Sequence, residues 1–328
     1  MSGTQYLRAA SLIVGPAAGG NALDLSQLHF KFNITRATIS TPQTASIRIY
    51  NLADTTVASI FALSPSAQYQ PDGGQVQLKV GYYGLPSDSN FNAQPSLATI
   101  FDGTIKQVIK GRENQTDTYV DIIAADWDQP YNYSTINATL AAGWSQADVA
   151  NQLNQTLAPY GISPGPAAPY NTAKNARGKV LYGMTRDAGR RLAINNNCNW
   201  TVTNGQVVSI ANGGALPGAA IIVNDTTGLI GFPQQTLDGI ELFTLLNPSI
   251  VPGSIIQLNN ADIIDFTLST DYTAAQFVPS IEADGFYRVY WLERQGDTRG
   301  NDWYNHIICV GATAPLPLTG TYIDTLSP

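Results

Sequence analysis

Strict alternation of apolar and polar residues dominates the chain as far as Trp127. Leu28-His29-Phe30-Lys31-Phe32-Asn33-Ile34 alternates without a break, and so do Ala45 to Tyr50 and Val76 to Tyr82. A fourth alternating run starts at Thr99 and passes through Ile105 and Val108, and a fifth spans Tyr119 to Ala124. Period two is the signature of half-buried β-strands. Asp72-Gly73-Gly74 and Gly111-Arg112-Glu113-Asn114 read as turns between them. One short helix is expected over Thr55–Phe61, with Asp54 as its cap. Many even strands with turn residues between them predict a β-barrel or sandwich, assigned to residues 1–129.

The period changes between residues 130 and 216. Ser145 followed by Asp148 is a capping box, and Val149, Leu153 and Leu157 then recur every four residues until Gly161. A proline-rich loop, Ser163 to Pro169, leads to a strand over Gly178 to Tyr182. A second helix starts near Thr185 and ends in Asn195-Asn196-Asn197. A hairpin follows, Trp200 to Thr203 and Gln206 to Ile210, turning on Asn204-Gly205, the preferred pair for a type I′ turn. Residues 130–216 therefore read as a small α+β insert.

Strands return over residues 217–328: Ala220 to Val223, Gly239 to Leu246, Ser254 to Leu258, a stretch around Ile263 to Leu268, Gly285 to Arg294 and Trp303 to Val310. In the second of these, Ile240, Leu242 and Thr244 oppose Glu241, Phe243 and Leu245. The strand runs into Asn247-Pro248 and closes on Val251-Pro252-Gly253, where Pro-Gly fits a type II turn. After Gly285 comes an aromatic-rich strand, then a polar turn, Gly296 to Gly300, and Trp303-Tyr304. Beyond Ala312 the chain reads as extended. The whole is mainly β with a small α+β insert.

Composition sharpens this picture. Hydrophobic residues make up 44% of the 328 positions, enough for a sizeable core, yet only 12% are charged, about half the usual share. That leaves either an unusually neutral surface or one largely covered by neighbouring subunits. Four Glu stand against twenty Asp, a ratio that favours turns and strands over long helices. The net charge of −7 argues against affinity for nucleic acid. Two cysteines, Cys198 and Cys309, are too few for a disulfide scaffold or a zinc site. The N-terminus lacks the charged and continuous apolar regions of a signal peptide, and no run is long enough to span a membrane, so assembly in the cytoplasm is expected.

Catalytic constellations are missing from the sequence. His29 and His306 sit far apart, each in a predicted strand. No nucleophile elbow, phosphate loop or metal-spaced cluster occurs, and no cofactor is expected. Glu241, Glu282 and Glu293 offer carboxylates, but no spacing selects a pair for glycoside hydrolysis. Asp126 and Asp128 flank Trp127, which reads as a strand-end aromatic or as one edge of a sugar site. Arg186, Arg190 and Arg191 share the i, i+4 spacing of one helix face, which is either solvated or an interface. Asp297 and Arg299 can pair with each other or across subunits.

Several of these segments, taken in order, resemble a known family. Gly81-Tyr82, Phe101-Asp102-Gly103-Thr104-Ile105, Tyr50-Asn51-Leu52 and Ala125-Asp126-Trp127 are similar to the first barrel of the tail-hub and tail-tube-related proteins of contractile bacteriophages. Thr227 to Pro233, Leu245-Leu246-Asn247-Pro248, Pro252-Gly253, Gly296-Asp297-Thr298 and Trp303-Tyr304 are similar to the second. The resemblance covers residues 25 to 312. It implies two tail-tube-like antiparallel β-barrels, at 1–129 and 217–328, and a homotrimeric baseplate hub with no turnover. Its partners would be a six-fold tail tube protein, a three-fold central spike protein and other baseplate proteins. Its bore would pass DNA and the tape-measure protein, within a virion assembled in the host cytoplasm. Asp297, Arg299, Trp303, Arg186, Arg190 and Arg191 become candidate subunit contacts. The chain is short for a hub of this kind, so a further C-terminal domain is not expected. Two alternatives stay open, a tube or distal tail component and a glycan-binding or glycan-cleaving β-protein.

Overall fold

The computed structural model describes residues 5, 7–16, 21–38, 40–65, 74–84, 95–265, 281–312 and 314. The first β half consists of β1 (Arg8–Pro16), β2 (Leu23–Asp24), β3 (Phe30–Ala37), β4 (Thr44–Tyr50), α1 (Asp54–Ala62), β5 (Gly74–Tyr82), β6 (Ser96–Arg112) and β7 (Thr118–Ala125). Its strands pair antiparallel in the order β3-β4-β7-β6-β5-β1-β2. Alternation sends Phe30, Phe32 and Ile34, Ile47 and Ile49, Val76, Leu78 and Val80 into one buried cluster. Each such side chain contributes about 1.5–3 kcal/mol by leaving water. The 17-residue β6 pairs with β5 through its first half and with β7 through its second, with register shifts at Leu78/Lys79 and Ile105/Gln107. Bulges of this kind bend a strand, and here they let one strand serve two neighbours.

Two expectations in this half need revision. The cap of α1 is Ala53, not Asp54. Asp54 lies in the first helical turn, and its exposed carboxylate is 3.0 Å from Lys110 Nζ. Strand β1 was not expected at all. The turn expected at Asp72-Gly73 lies outside the described residues.

The insert comprises α2 (Asp128–Tyr133), β8 (Thr135–Leu140), α3 (Gln146–Leu157), β9 (Ser163–Pro164), β10 (Lys179–Met184), α4 (Thr185–Asn195), β11 (Cys198–Thr203) and β12 (Gln206–Ala211). The capping box at α3 is present: Asp148 Oδ2 accepts from both the backbone N–H and the hydroxyl of Ser145, each at 2.8 Å. A 3₁₀ turn, Ala158–Tyr160, ends at Gly161 in the left-handed region. Asn204 (φ 50°) and Gly205 (φ 72°) make the type I′ turn between β11 and β12. Val149, Leu153, Leu157, Leu192, Trp200 and Val202 form a core of their own. Gly189 is required there, because a Cβ would strike the Trp200 ring.

The second β half contains β13 (Ile221–Ile222), β14 (Leu229–Thr236), β15 (Gly239–Leu245), β16 (Ile255–Gln257), β17 (Phe286–Asp297) and β18 (Trp303–Gly311). The order β14-β15-β18-β17 is antiparallel, with β16 on the start of β17 and β13 parallel to β16. Ile240, Leu242, Ile256, Tyr287, Val289, Leu292 and Ile307 fill this half's core. The type II turn is formed: Ser254 N–H donates to Val251 O at 3.0 Å, and Gly253 has φ 91°. Of the stretch around Ile263 to Leu268, Ile264 makes one bridge to Gln234, while residues 266–268 lie outside the described set, as does the tail beyond 314.

The two halves are fused by a long-range ladder. β3 pairs with β17 from Lys31↔Asp297 to Trp291↔Ala37, so one sheet path runs from β14 to β2. The chain is mainly β and antiparallel, with a small α+β insert.

Candidate assembly surface

The polar turn between β17 and β18 is held by the carboxylate of Asp297. Its Oδ1 accepts from the backbone N–H of Arg299 at 2.8 Å and of Gly300 at 2.7 Å, and contacts His29 Nε2 at 2.8 Å. Lys31 Nζ lies 3.6 Å from Oδ2. Burial alone would raise the Asp297 carboxyl, but these backbone and His29 bonds outweigh it and hold the group below the usual carboxylate range. Gly300 must lack a side chain, since a Cβ would meet the Asp297 carboxylate. Thr298 fastens the turn to β3: Phe30 N–H donates to its hydroxyl and its N–H to Phe30 O, both at 3.0 Å.

The candidate contacts at this turn divide sharply. Arg299 is exposed, and its guanidinium donates to Gln27 O at 3.2 Å rather than to Asp297. Trp303 is buried in the first half's core, edge-on to Phe32 at 5.5 Å, with Arg8 above its ring. Beside the turn, a groove of about 390 Å³ crosses β3, β4 and β17, lined by Lys31, Arg48, Tyr50, Asp121, Asp297 and Asp302 among others. Arg48 grips Asp121 through two bonds, at 2.7 and 2.9 Å, and lies over Tyr119 at 3.9 Å.

The three arginines of α4 also part company. Arg186 donates to Tyr131 O at 2.8 Å and covers the Tyr131 ring. Arg190 donates to Ser40 Oγ at 3.2 Å, tying the insert to the β3–β4 link. Arg191 is exposed and borders a hollow of about 220 Å³ against β10.

Two clusters were missed by sequence reasoning. On the outer face of the second half, His306 Nε2 lies 2.6 Å from Glu241 and its Nδ1 3.7 Å from Glu293. Its ring stacks on Phe243 at 4.4 Å and meets Trp291 edge-on. These residues come from β15, β17 and β18, so no local spacing could announce them. The second cluster lies at the seam between the halves. Arg36 and Arg294 are each 1% exposed. Arg36 donates to Asn204 at the hairpin tip of the insert, at 2.5 Å. Arg294 donates to Pro248 O at 3.2 Å and Ile250 O at 2.5 Å, and reaches Ile100 O of the first half at 3.5 Å. The nearby Asp126 accepts from Gln43 N–H at 2.8 Å. Burial pushes the Asp126 carboxyl up to about 7 against the opposing pull of Arg36. It pulls Arg36 down to about 10, and it holds Arg294 well below its ordinary value. The signal for Arg36 was available: it falls in the same phase as Phe30, Phe32 and Ile34.

The tryptophans are packed rather than displayed. Trp127, Trp200, Trp291 and Trp303 are buried, with Trp127 edge-on to Trp200 and Tyr131, and Trp144 is half-buried under Lys179. Asp128 pairs with Lys106 at 3.0 Å. Cys198 and Cys309 are free and buried, and burial raises both thiols. Among the described residues no helix is long and apolar enough to cross a membrane.

No protein-family model matches the sequence, and no curated protein matches it in sequence. Solved structures do match in fold. The 43 kDa tail protein of prophage MuSo2 from Shewanella oneidensis superposes with a TM-score of 0.55 at 9% identity, over 94% of this chain and 99% of that one. The tail protein from Neisseria meningitidis MC58 gives 0.52 at 11% identity, over 93% and 97%. A chain of the PdpA–VgrG complex in its lidless form gives 0.51 at 8% identity, over 96% and 67%. Over nearly its whole length, this chain has the fold of those phage tail proteins.

Proposed function

We propose that the chain is a structural component of a phage tail, a homotrimeric baseplate hub. The observation that carries this reading is the agreement in fold over 94% of this chain and 99% of a prophage tail protein, which leaves no large part of either unmatched. The two antiparallel halves, residues 1–129 and 217–328, act as tube-like domains, and 130–216 as the insert between them. Three copies place six β domains in a ring, which mates with a six-fold tail tube on one face and a three-fold spike on the other. Other baseplate proteins pack around the ring. Its bore passes DNA and the tape-measure protein, and the acidic balance of the chain keeps DNA from sticking. No chemical turnover is involved. Heterologous contacts between copies close the ring, and the exposed Arg299 and Arg191 are the candidate contacts best placed to reach a neighbour.

Light scattering coupled to size exclusion tests the reading. The expected result is a discrete species at three times 35.1 kDa. A monomer at every concentration, together with binding to a glycan array, would replace the hub with a sugar-binding protein.

A further inference from the structure

Two exposed apolar patches of opposite charge lie in separate parts of this chain. The first is on the insert. β8 and β10 form a two-stranded ribbon, and among the described residues β10 pairs with no other strand. One face packs on α3 and α4 through Ile136 and Leu181. The other leaves Val180 and Tyr182 exposed at 69% and 76%. Lys179 and Arg191 border the hollow beside them. Residues 130–216 carry six Lys or Arg against two Asp, a net of +4. Burial and then the nearby Arg191 hold the Lys179 ammonium below its ordinary pKa, so a carboxylate arriving here relieves repulsion.

The second patch is the β14 end of the sheet path. Phe232 is 65% exposed, and Ile230, Phe243 and Ile264 are exposed beside it. Ile230 and Phe243 are cross-strand partners. Residues 217–265 carry five acidic residues (Asp225, Asp238, Glu241, Asp262 and Asp265) and no Lys or Arg.

We propose that these two patches bind each other between copies: the cationic apolar face of one chain's insert seats on the acidic apolar β14–β15 edge of the next. An exposed apolar strand edge invites another chain. Charge complementarity selects this occupant, because the cationic and acidic patches belong to one sequence and cannot both be satisfied by a partner of single sign. Each copy uses two different patches, so the contact is head-to-tail, the type that closes rings. This inference rests on the trimeric reading above and names the contact that makes the trimer.

The test combines cross-linking with charge reversal in the full chain. Tyr182→Cys with Phe232→Cys, oxidised, is expected to give covalently linked trimers on denaturing gels, while either substitution alone gives none. The native cysteines are buried and do not compete. Lys179→Glu with Arg191→Glu is expected to weaken trimerisation at least about tenfold, the effect of losing about 1.4 kcal/mol of coupling. Adding Asp225→Lys and Asp265→Lys to that variant is expected to restore it. Circular dichroism checks that each variant is folded. If the wild type is a trimer but the double-cysteine variant does not cross-link and the charge-reversed variant stays trimeric, this contact is overturned and the hub reading is left intact. So would a reversed variant that dissociates but is not rescued, since the acidic edge would then not be the partner. A wild-type monomer at all concentrations would overturn both.

Discussion

Asp126 stays protonated in the folded chain over a range where the unfolded chain has released its proton. Its folded pKa of about 7 lies above the unfolded value of 3.8. The stability it contributes is therefore full below about pH 4 and is lost as pH rises through about 7, a swing on the order of 4 kcal/mol. Urea midpoints measured across this window should fall with pH for the wild type and change less for Asp126→Asn. Equal slopes for the two proteins would discard the assignment. Asp297 is the opposite case, a carboxylate held below its ordinary range by two backbone N–H groups and His29. Asp297→Ala strands those donors and should cost about 1–3 kcal/mol. Asp297→Asn should recover part of that loss, since its amide oxygen still accepts. Chemical denaturation of the two variants separates the outcomes. At this scale the sequence was legible in phase but not in partners. Arg36 stands out as a charge in the apolar phase of β3. Nothing within β3 says that its acceptor is Asn204, 168 positions away.

Local chemistry governs the elements that were readable. The capping box of α3, the Asn204-Gly205 turn and the Val251-Pro252-Gly253 turn depend on residues within four positions of each other, so their signals survive in sequence. Gly205→Ala should cost about 1 kcal/mol by forcing a side chain into φ 72°. Asn204→Ala should cost more, because it also strands the buried Arg36 guanidinium. Thermal melts of the two variants give the order directly, and an equal cost would mean that Arg36 finds another acceptor. The elements that were missed lack such signals. β14 contains Gly231 and Pro233 and shifts register between Ile230 and Gln234, so it never alternates. β1 combines an apolar run with Gly15-Pro16 and is a strand because β5 pairs along its full length. Asp54 has the residue type of a cap but not the position of one. The chain instead enters α1 one residue earlier, through extended Ala53.

At the scale of the whole molecule, the β3–β17 ladder decides what behaves as one body. Arg294 strengthens it by bonding carbonyls from both halves, Ile100 O on one side and Pro248 O and Ile250 O on the other. Arg294→Ala should cost about 2–4 kcal/mol and lower the cooperativity between the halves. Calorimetry should show the wild-type β halves melting together and the variant's transition broadened or split. An unchanged, sharp transition would show that the ladder alone suffices. This seam was the least legible feature of the fold, since strand pairing across such a distance leaves no periodic trace. It also sets a timetable for synthesis. Asn33 waits for Glu293, 260 positions later. At ribosomal speeds of about 5–20 residues per second, that is a delay on the order of 10–50 s. Throughout that interval the edge of β3 has no β17 to pair with, and Arg294 does not yet exist. A copy released early by a stalled ribosome or a premature stop would lack both. The register of one strand pair thus acts as a proofreading step, withholding the finished sheet from any chain that has not been translated through β17.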